Sequence, residues 1–391
     1  MIFSSEVSKK LTLRFSKLAS EYNSKGKEII SLGLGEPYFE TPKKIIDSTI
    51  KALKGGYTKY SSFNGIYDLR NHISEKLKNE NKIKSSPDQI IVTAGSKQAC
   101  SFALMALLKP GDEVICFNPC YVSYIPQIKL AEPKSKIKII DLNKSDYKIN
   151  FNLLKKNINK KTKIIIVNSP NNPTGSIITK NDFIKISKLI KNKKIYLLSD
   201  EIYEKLNFGK NNHFSPGSIN EIKHNVITIN GFSKAFSMTG WRLGYLHANK
   251  KIIDKISIIN QHINTNTNTF IQKGAASAYD TNKKFITKFN NDLKIKLKYL
   301  NLILNKKYNC NIILPEGGFF AFLNISSVNL SSDDFAYNLL KKYNVAVTPG
   351  IIFGKNWDNY VRISMSTSLK KFKKGIDLVG KYIDAKKIKK I

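Results

Sequence analysis

Residues Ile164-Ile165-Ile166-Val167, entered from Lys163, form an apolar run with no polar alternation. A strand wet on one face alternates apolar and polar side chains. A run that is apolar at every step suits a strand buried on both faces, as in a parallel sheet covered by helices. The run stops at Asn168-Ser169-Pro170-Asn171-Asn172-Pro173-Thr174-Gly175, where two prolines bracket two asparagines in a stiff polar loop. Ligands of open parallel sheets bind at the carboxyl edge of the strands, so this loop is a candidate wall of a site. A second run, Ile195-Tyr196-Leu197-Leu198, ends the same way, in Ser199-Asp200-Glu201-Ile202-Tyr203. An acid at the end of a buried strand, with a tyrosine three residues on, is a candidate functional pair. The competing reading makes Asp200 a helix N-cap.

A third run, Val226-Ile227-Thr228-Ile229, leads into Gly231-Phe232-Ser233-Lys234-Ala235-Phe236-Ser237-Met238-Thr239-Gly240-Trp241-Arg242-Leu243-Gly244-Tyr245. One lysine lies here between two aromatics, with a serine beside it and an arginine eight residues on. Desolvation and cationic neighbours both lower the pKa of an amine, which a lysine nucleophile needs near neutrality. A guanidinium can hold a phosphate with two parallel N–H bonds. An amine nucleophile beside a phosphate anchor is what capture of pyridoxal 5′-phosphate (PLP) requires. A surface lysine is the competing reading, and the flanking Phe232 and Phe236 weigh against it.

Lysine is abundant enough to make arginine informative. Of 65 basic residues only Arg14, Arg70, Arg242 and Arg362 are arginine. In such a chain an arginine marks a place where a planar five-donor fork is needed, so Arg242 and Arg362 are candidate phosphate or carboxylate ligands. The net charge of +36 raises a third kind of reading, a nucleic-acid-binding protein. The lysines are spread among Asn and Ile along the whole chain and form no stripe, so a solvated surface accounts for them better.

Length and composition bound the rest. A chain of 391 residues suggests two domains or three. No apolar run approaches a membrane span. The start of the chain lacks a basic segment followed by an apolar core, so a cytoplasmic protein is expected. Cys100, Cys116, Cys120 and Cys310 form no Cys-x-x-Cys pair and read as reduced thiols, with no metal site.

The spacing predicts a helix over 11–24, a strand over 28–32, then the turn-rich Gly33-Leu34-Gly35-Glu36-Pro37-Tyr38-Phe39. Thr41-Pro42 predicts an N-capped helix over 43–53. Residues 90–98 read as a strand, a glycine turn and a helix N-terminus, a generic anion site. Strands and helices alternate from there to about 280. A long lysine-rich helix is predicted over 283–304. The strands and helices beyond it suggest a smaller α+β domain.

These pieces together resemble a family. Gly35-Glu36-Pro37, Lys59-Tyr60, Gly95-x-Lys97-Gln98, Asn171-Asn172-Pro173-Thr174-Gly175, Ser199-Asp200-Glu201-Ile202-Tyr203, Ser233-Lys234, Gly240-Trp241-Arg242-x-Gly244-Tyr245 and Val361-Arg362 occur in family order along nearly the whole chain. The chain resembles a PLP-dependent class I aminotransferase of the bacterial aspartate aminotransferase type. That resemblance implies an α/β, fold-type I PLP transferase. Its large domain, 46–285, holds a mostly parallel sheet covered by helices; 1–45 and 286–391 make the smaller α+β domain.

The resemblance also implies roles. Lys234 is the catalytic residue, forming the internal aldimine and then moving the α-proton. Asp200 pairs with the pyridinium nitrogen, Tyr203 and Asn172 bond the phenolic oxygen, and Tyr121 stacks on the ring. Gly95, Ser96, Lys97, Ser233 and Arg242 make the phosphate environment. Tyr60 reaches the phosphate of a second subunit, which implies a homodimer with shared sites. Arg362, with Gly35, Tyr121 and Asn172 beside it, binds the substrate α-carboxylate. Lys97 reads a distal carboxylate, and Thr12 lies near the site. The chain departs from the family pattern at Tyr38, where aspartate is usual, and at Cys120-Tyr121, where a bulkier pair is usual. The expected reaction transfers an amino group, through a pyridoxamine form, between an L-amino acid, with aspartate leading, and 2-oxoglutarate. Alternatives are an aromatic or prephenate-type aminotransferase, or a PLP-dependent β-lyase.

Overall fold

The computed structural model describes residues 24–279 and 284–387, together with Leu18, Glu21 and Tyr22. Thr12, Arg14, most of the helix predicted over 11–24 and the predicted helix start at 283 lie outside the described residues. The described strands are, in order, β1 (Ile30–Ser31), β2 (Ile90–Thr93), β3 (Glu113–Asn118), β4 (Lys136–Asp141), β5 (Thr162–Asn168), β6 (Tyr196–Asp200), β7 (Val226–Gly231), β8 (Gly244–His247), β9 (Phe320–Asn324), β10 (Val345–Ala346), β11 (Thr348–Pro349) and β12 (Tyr360–Ser364).

Seven strands form one sheet, in the order β2-β8-β7-β6-β5-β3-β4. Strand β8 runs antiparallel to both neighbours; every other pairing is parallel. The apolar run of β5 sits where its pattern requires. Ile164 and Ile166 pack with Phe102, Ile128, Leu198 and Ile227 on one face. Ile165 and Val167 pack with Phe183, Ile186 and Leu197 on the other. All four are buried, each contributing about 1.5–3 kcal/mol relative to exposure. Helices therefore cover both faces, among them Ser96–Leu107 and Lys180–Ile190. The parallel register sets Asn168, the last residue of β5, opposite Asp200, the last of β6. Polar groups from adjacent strands thus converge at one edge.

The remaining strands form a smaller body. Strands β11, β12 and β9 make an antiparallel sheet, and β1 pairs in parallel with β10. Its core joins Ile30 and Leu32 to Phe289, Leu293, Phe335, Phe372 and Ile376. An early segment of the chain is thereby sealed onto the late ones. Strand β12 carries Arg362, paired across the sheet with Phe322 and Thr348.

Two local expectations change. The helix Lys43–Lys54 forms, but Pro42 takes the cap position and makes no side-chain cap bond. Thr41 Oγ1 donates instead to the Ser237 carbonyl at 2.8 Å, tying this segment to the loop beyond Lys234. The helix predicted over 283–304 is α-helical only over Lys284–Leu300, and a π-type turn follows over Asn301–Lys307. No helix among the described residues is long and apolar enough to cross a membrane.

Candidate active site

At the carboxyl edge of β5, β6 and β7 lies a cavity of about 660 Å³, within the range of small-molecule sites. Its lining takes Lys234, Ser233 and Arg242 from the segment after β7, and Asp200 and Tyr203 from the end of β6. Asn172 comes from the loop after β5, Ser96, Lys97 and Tyr121 from beyond β2 and β3, and Gly35 and Arg362 from the smaller body. Of the sequence-derived candidates, Tyr60 stands apart: it is 87% exposed and lines no part of this cavity. Gly95 is not itself in the lining but shapes it, as described below.

Lys234 is placed by a tight turn in which Phe236 N–H donates to the Phe232 carbonyl at 3.1 Å, with both rings buried as anchors. Its Nζ donates to the Gly35 carbonyl at 2.6 Å. Burial lowers its pKa to about 8; Glu36 opposes that, while Arg362 and Arg242 reinforce it. The two cations read from the sequence thus do act on this amine, and the ring of Phe319 has its centre 5.9 Å from Nζ.

Asp200 is buried at the cavity floor. Tyr124 donates its hydroxyl proton to Oδ2 at 2.6 Å, and the Ile202 N–H donates to Oδ1 at 3.2 Å. Desolvation raises the carboxyl to about 6 against those two hydrogen bonds, with Glu201 adding to the rise. Asp200 makes no ion pair among the described residues. It does not cap a helix, because only a short turn follows β6. Tyr203 is buried too, its hydroxyl bonded to Asn172 and its pKa raised by burial.

Two arginines line the site. Arg242 adopts a left-handed backbone, φ 55°. Its Nη1 donates to the Thr239 carbonyl at 2.8 Å and its Nη2 to the Ala94 carbonyl at 3.2 Å. Gly95 has φ +86°, and a Cβ there would come within 2.5 Å of Arg242 Nη2. The glycine thus lets the guanidinium lie against the N-terminus of the helix Ser96–Leu107. Arg362 Nη1 donates to Asn172 Oδ1 at 3.0 Å, and Nη2 donates to the Gly33 carbonyl at 2.8 Å and to Thr348 Oγ1 at 3.2 Å. Its guanidinium lies 4.1 Å from the centre of the Phe320 ring. Burial brings its pKa down to about 10, so it remains a cation at neutral pH. Its buried Nε has no partner among the described residues. Gly33 supplies the backbone carbonyl that Arg362 donates to, and Gly35 lines the same cavity as Arg362.

Sequence reasoning missed Tyr124 and Asn168. Asn168 donates to the Asp200 carbonyl and accepts from the Asn172 N–H, joining the two strand ends. The spacing Tyr121-x-x-Tyr124, one helical turn, was the available signal. The two rings meet edge-on, their centres 5.5 Å apart.

Residues 27–378 match the family described as aminotransferase class I and II. The chain belongs to that family. It is 37% identical over 365 residues to an aspartate aminotransferase of Pyrococcus abyssi, covering 93% of each chain. The structure resembles that of an aromatic aminotransferase from Pyrococcus horikoshii OT3, with a TM-score of 0.87, 35% identity and coverage of 93% and 97% of the two chains. It also resembles an aspartate aminotransferase of Thermus thermophilus with maleate, with a TM-score of 0.88, 31% identity and coverage of 95% and 96%. The fold is that of a fold-type I PLP transferase, and the protein is a transaminase.

The cofactor of this aminotransferase is PLP, and the cavity fits it. A buried carboxylate with no ion-pair partner suits a cationic ring nitrogen. A helix N-terminus beside Ser96, Ser233 and Arg242 suits a phosphate dianion. A buried amine with lowered pKa suits an aldehyde. The depressed pKa sets a pH dependence. An amine attacks only when neutral, so the rate at which apoenzyme captures PLP, followed by cofactor absorbance, should climb with pH and level off just above 8. A rate still climbing toward the ordinary lysine range would show that Lys234 is not desolvated as described.

Proposed function

We propose that this aminotransferase exchanges amino groups between L-aspartate and 2-oxoglutarate, with Lys234 as its catalytic residue. The observation that carries the dicarboxylate reading is a pair of cations on one cavity. Arg362 lines it with a buried Nε that has no partner among the described residues, and Lys97 lines the same cavity, its Nζ 5.9 Å from the centre of the Tyr121 ring. A guanidinium fork suits the α-carboxylate, and an ammonium suits a second, distal one. The aspartate aminotransferase of P. abyssi and the maleate-bearing T. thermophilus enzyme support this reading. The aromatic aminotransferase of P. horikoshii, with Tyr121 at the mouth here, supports the runner-up, an aromatic donor.

PLP supplies an aldehyde that takes up the amino group and a ring that draws electrons from the substrate Cα. The chain's own groups do the rest in this proposal. Lys234 Nζ would take the proton from the substrate Cα and give it up at the carbon that was the aldehyde of PLP, since an amine with pKa about 8 is poised to do both near neutrality. Asp200, held by Tyr124, keeps a proton on the ring nitrogen. Tyr203 and Asn172 would hold the phenolic oxygen, and Tyr121 would pack on the ring. Ser96, Lys97, Ser233 and Arg242, with the turn at Gly95, hold the phosphate. Arg362 fixes the α-carboxylate, Asn172 orients that guanidinium, and Gly35 lines the mouth.

Three further assignments belong to the same proposal. The chain acts as a homodimer, supported by Tyr60, an aromatic 87% exposed and free to reach a second copy. The domains divide at 45/46 and 285/286, supported by the shared core of Ile30, Leu32 and Phe289. The enzyme works in the cytoplasm, supported by three fully buried free cysteines.

Asp200→Asn should retain the fold and slow single-turnover proton abstraction by roughly 10²–10³-fold, the size found for losing one electrostatic group. Unchanged single-turnover kinetics would remove Asp200 from the mechanism.

Truncating one side of a desolvated charge–carboxylate contact costs about 2–5 kcal/mol. Lys97→Ala should therefore lower kcat/KM for aspartate and glutamate by roughly 30- to several-thousand-fold and leave alanine or phenylalanine little changed. Arg362→Lys should weaken all donors, because the fork is lost while the charge stays. An equal effect of Lys97→Ala on acidic and neutral donors, with PLP saturating, would leave Lys97 to the cofactor and the donor unassigned.

A further inference from the structure

The turn that ends β6 has two faces. Asp200 and Tyr203 face the cavity. Glu201 and Glu204 point the other way, and their side chains are 0% and 7% exposed. Two carboxylates buried side by side are costly unless cations and donors meet them. Both kinds of partner are supplied from distant parts of the chain. Lys76, on the helix Tyr67–Asn79 and itself only 6% exposed, donates to Glu204 and, at 2.7 Å, to Asn81 Oδ1. Asn81 Nδ2 donates to Glu204 Oε2 at 2.7 Å and to the Ser215 hydroxyl at 2.6 Å. His213 Nε2 lies 3.0 Å from Glu201 Oε2 and 3.8 Å from Glu204 Oε2. Ser215 and Ser199 donate to Glu201, the latter at 2.9 Å.

Two carboxylates meet one ammonium and one imidazole. Burial works against the Glu204 charge, but Lys76, then His213 and Lys205, hold that carboxyl at about 2. Burial lowers the His213 pKa, but the bond to Glu201 together with the charges of Glu201 and Glu204 outweighs it, so the net shift is upward, toward the imidazolium. The other ionisable groups facing this cluster are the buried phenols of Tyr245 and Tyr279 and the outlying Glu80–Lys205 pair. Glu201, Glu204 and His213 are close enough to hold a metal ion, but the Lys76 ammonium already supplies a cation there.

Nothing in this cluster touches the cavity, yet each of its carboxylates adjoins a residue that does: Glu201 follows Asp200, and Glu204 follows Tyr203. The backbone of this turn is held by Glu201 N–H to the Ile229 carbonyl at 2.8 Å, Ile202 N–H to Asp200 Oδ1 at 3.2 Å and Glu204 N–H to the Glu201 carbonyl at 2.9 Å, and the Glu201 and Glu204 side chains anchor its other face. We propose that Lys76 and His213 are positioning residues of the active site, which neutralise Glu201 and Glu204 and thereby hold the turn that aims Asp200 and Tyr203 at the cofactor. This deepens the proposed function and rests on its placing of Asp200 against the cofactor ring. Without the counter-charges, Glu201 and Glu204 would pull the turn toward water and press more negative potential on Asp200.

The test uses PLP-loaded enzyme and apoenzyme of Lys76→Met and His213→Gln, with folding checked by thermal melt. For Lys76→Met, the pH midpoint of the bound cofactor's absorbance should move by more than about half a unit, since one charge is left uncompensated beside Asp200. PLP affinity of the apoenzyme should fall and kcat should drop about tenfold, with KM for the amino donor within about twofold, because the loss is in positioning and not in substrate contacts. The double variant Lys76→Met with Glu204→Gln, which leaves no charge uncompensated, should recover most of the spectral shift. His213→Gln, at a less buried position, should show the same signature and decides the matter if Lys76→Met does not fold. Folded variants with unchanged spectrum, PLP affinity and kcat would overturn the proposal. So would a shift that the double variant leaves in place. If Asp200→Asn is itself silent, the proposed function fails first; if Asp200→Asn is impaired and these variants are silent, only the clamp fails.

Discussion

The site depends on keeping one amine out of water. Lys234 sits where its charge is poorly solvated, next to two guanidinium groups that disfavour that charge further, with Glu36 as the main counterweight. Each of these neighbours comes from a different part of the chain. Arg242 follows eight residues later, held open by the absence of a side chain at Gly95. Arg362 arrives on β12 of the smaller body, and Gly35, which accepts the amine's hydrogen bond, comes from the segment after β1. The two bodies therefore make one site: the sheet supplies the amine and the carboxylate, and the smaller body supplies the second cation and the cover.

The parallel sheet explains why so few elements suffice. A strand buried on both faces carries polar side chains mostly toward its ends. The β5–β6 register then brings Asn168, Asp200 and Asn172 within hydrogen-bond reach of one another or of their backbones. Asp200 is the expensive member. Burial favours its neutral form, and Tyr124 and the Ile202 N–H only partly offset that. A carboxyl that stays uneasy until a cation arrives is suited to a cationic ring, and the strain is borne by a strand packed on both faces.

Much of this was legible in the sequence, and the reasons differ by residue. The run Ile164–Val167 shows its burial because a two-residue period that never turns polar has one physical meaning. Lys234, Asp200 and Arg362 stand out because each breaks a local pattern: a lysine among aromatics, an acid closing an apolar strand, an arginine in a lysine-rich chain. Tyr124 was hidden in the apolar helix Tyr124–Ala131, and its bond to Asp200 spans 76 residues of chain. Lys76 was hidden by composition, since nothing local separates one structural lysine from dozens of solvated ones. Thr41 followed a capping pattern and went to Ser237 instead, because Pro42 already fixed the helix start. Gly33 and Gly35 are interchangeable in sequence; only the pairing of β1 with β10 decides that Gly33 faces Arg362.

The central claim is that one desolvated lysine, among the many in this chain, takes the cofactor. The most direct measurement is borohydride reduction of the PLP-loaded enzyme near neutral pH, followed by peptide mapping by mass spectrometry. The account predicts a single pyridoxyl-modified site, Lys234. Modification at Lys97 or spread over surface lysines, with Lys234 unmodified, would contradict it.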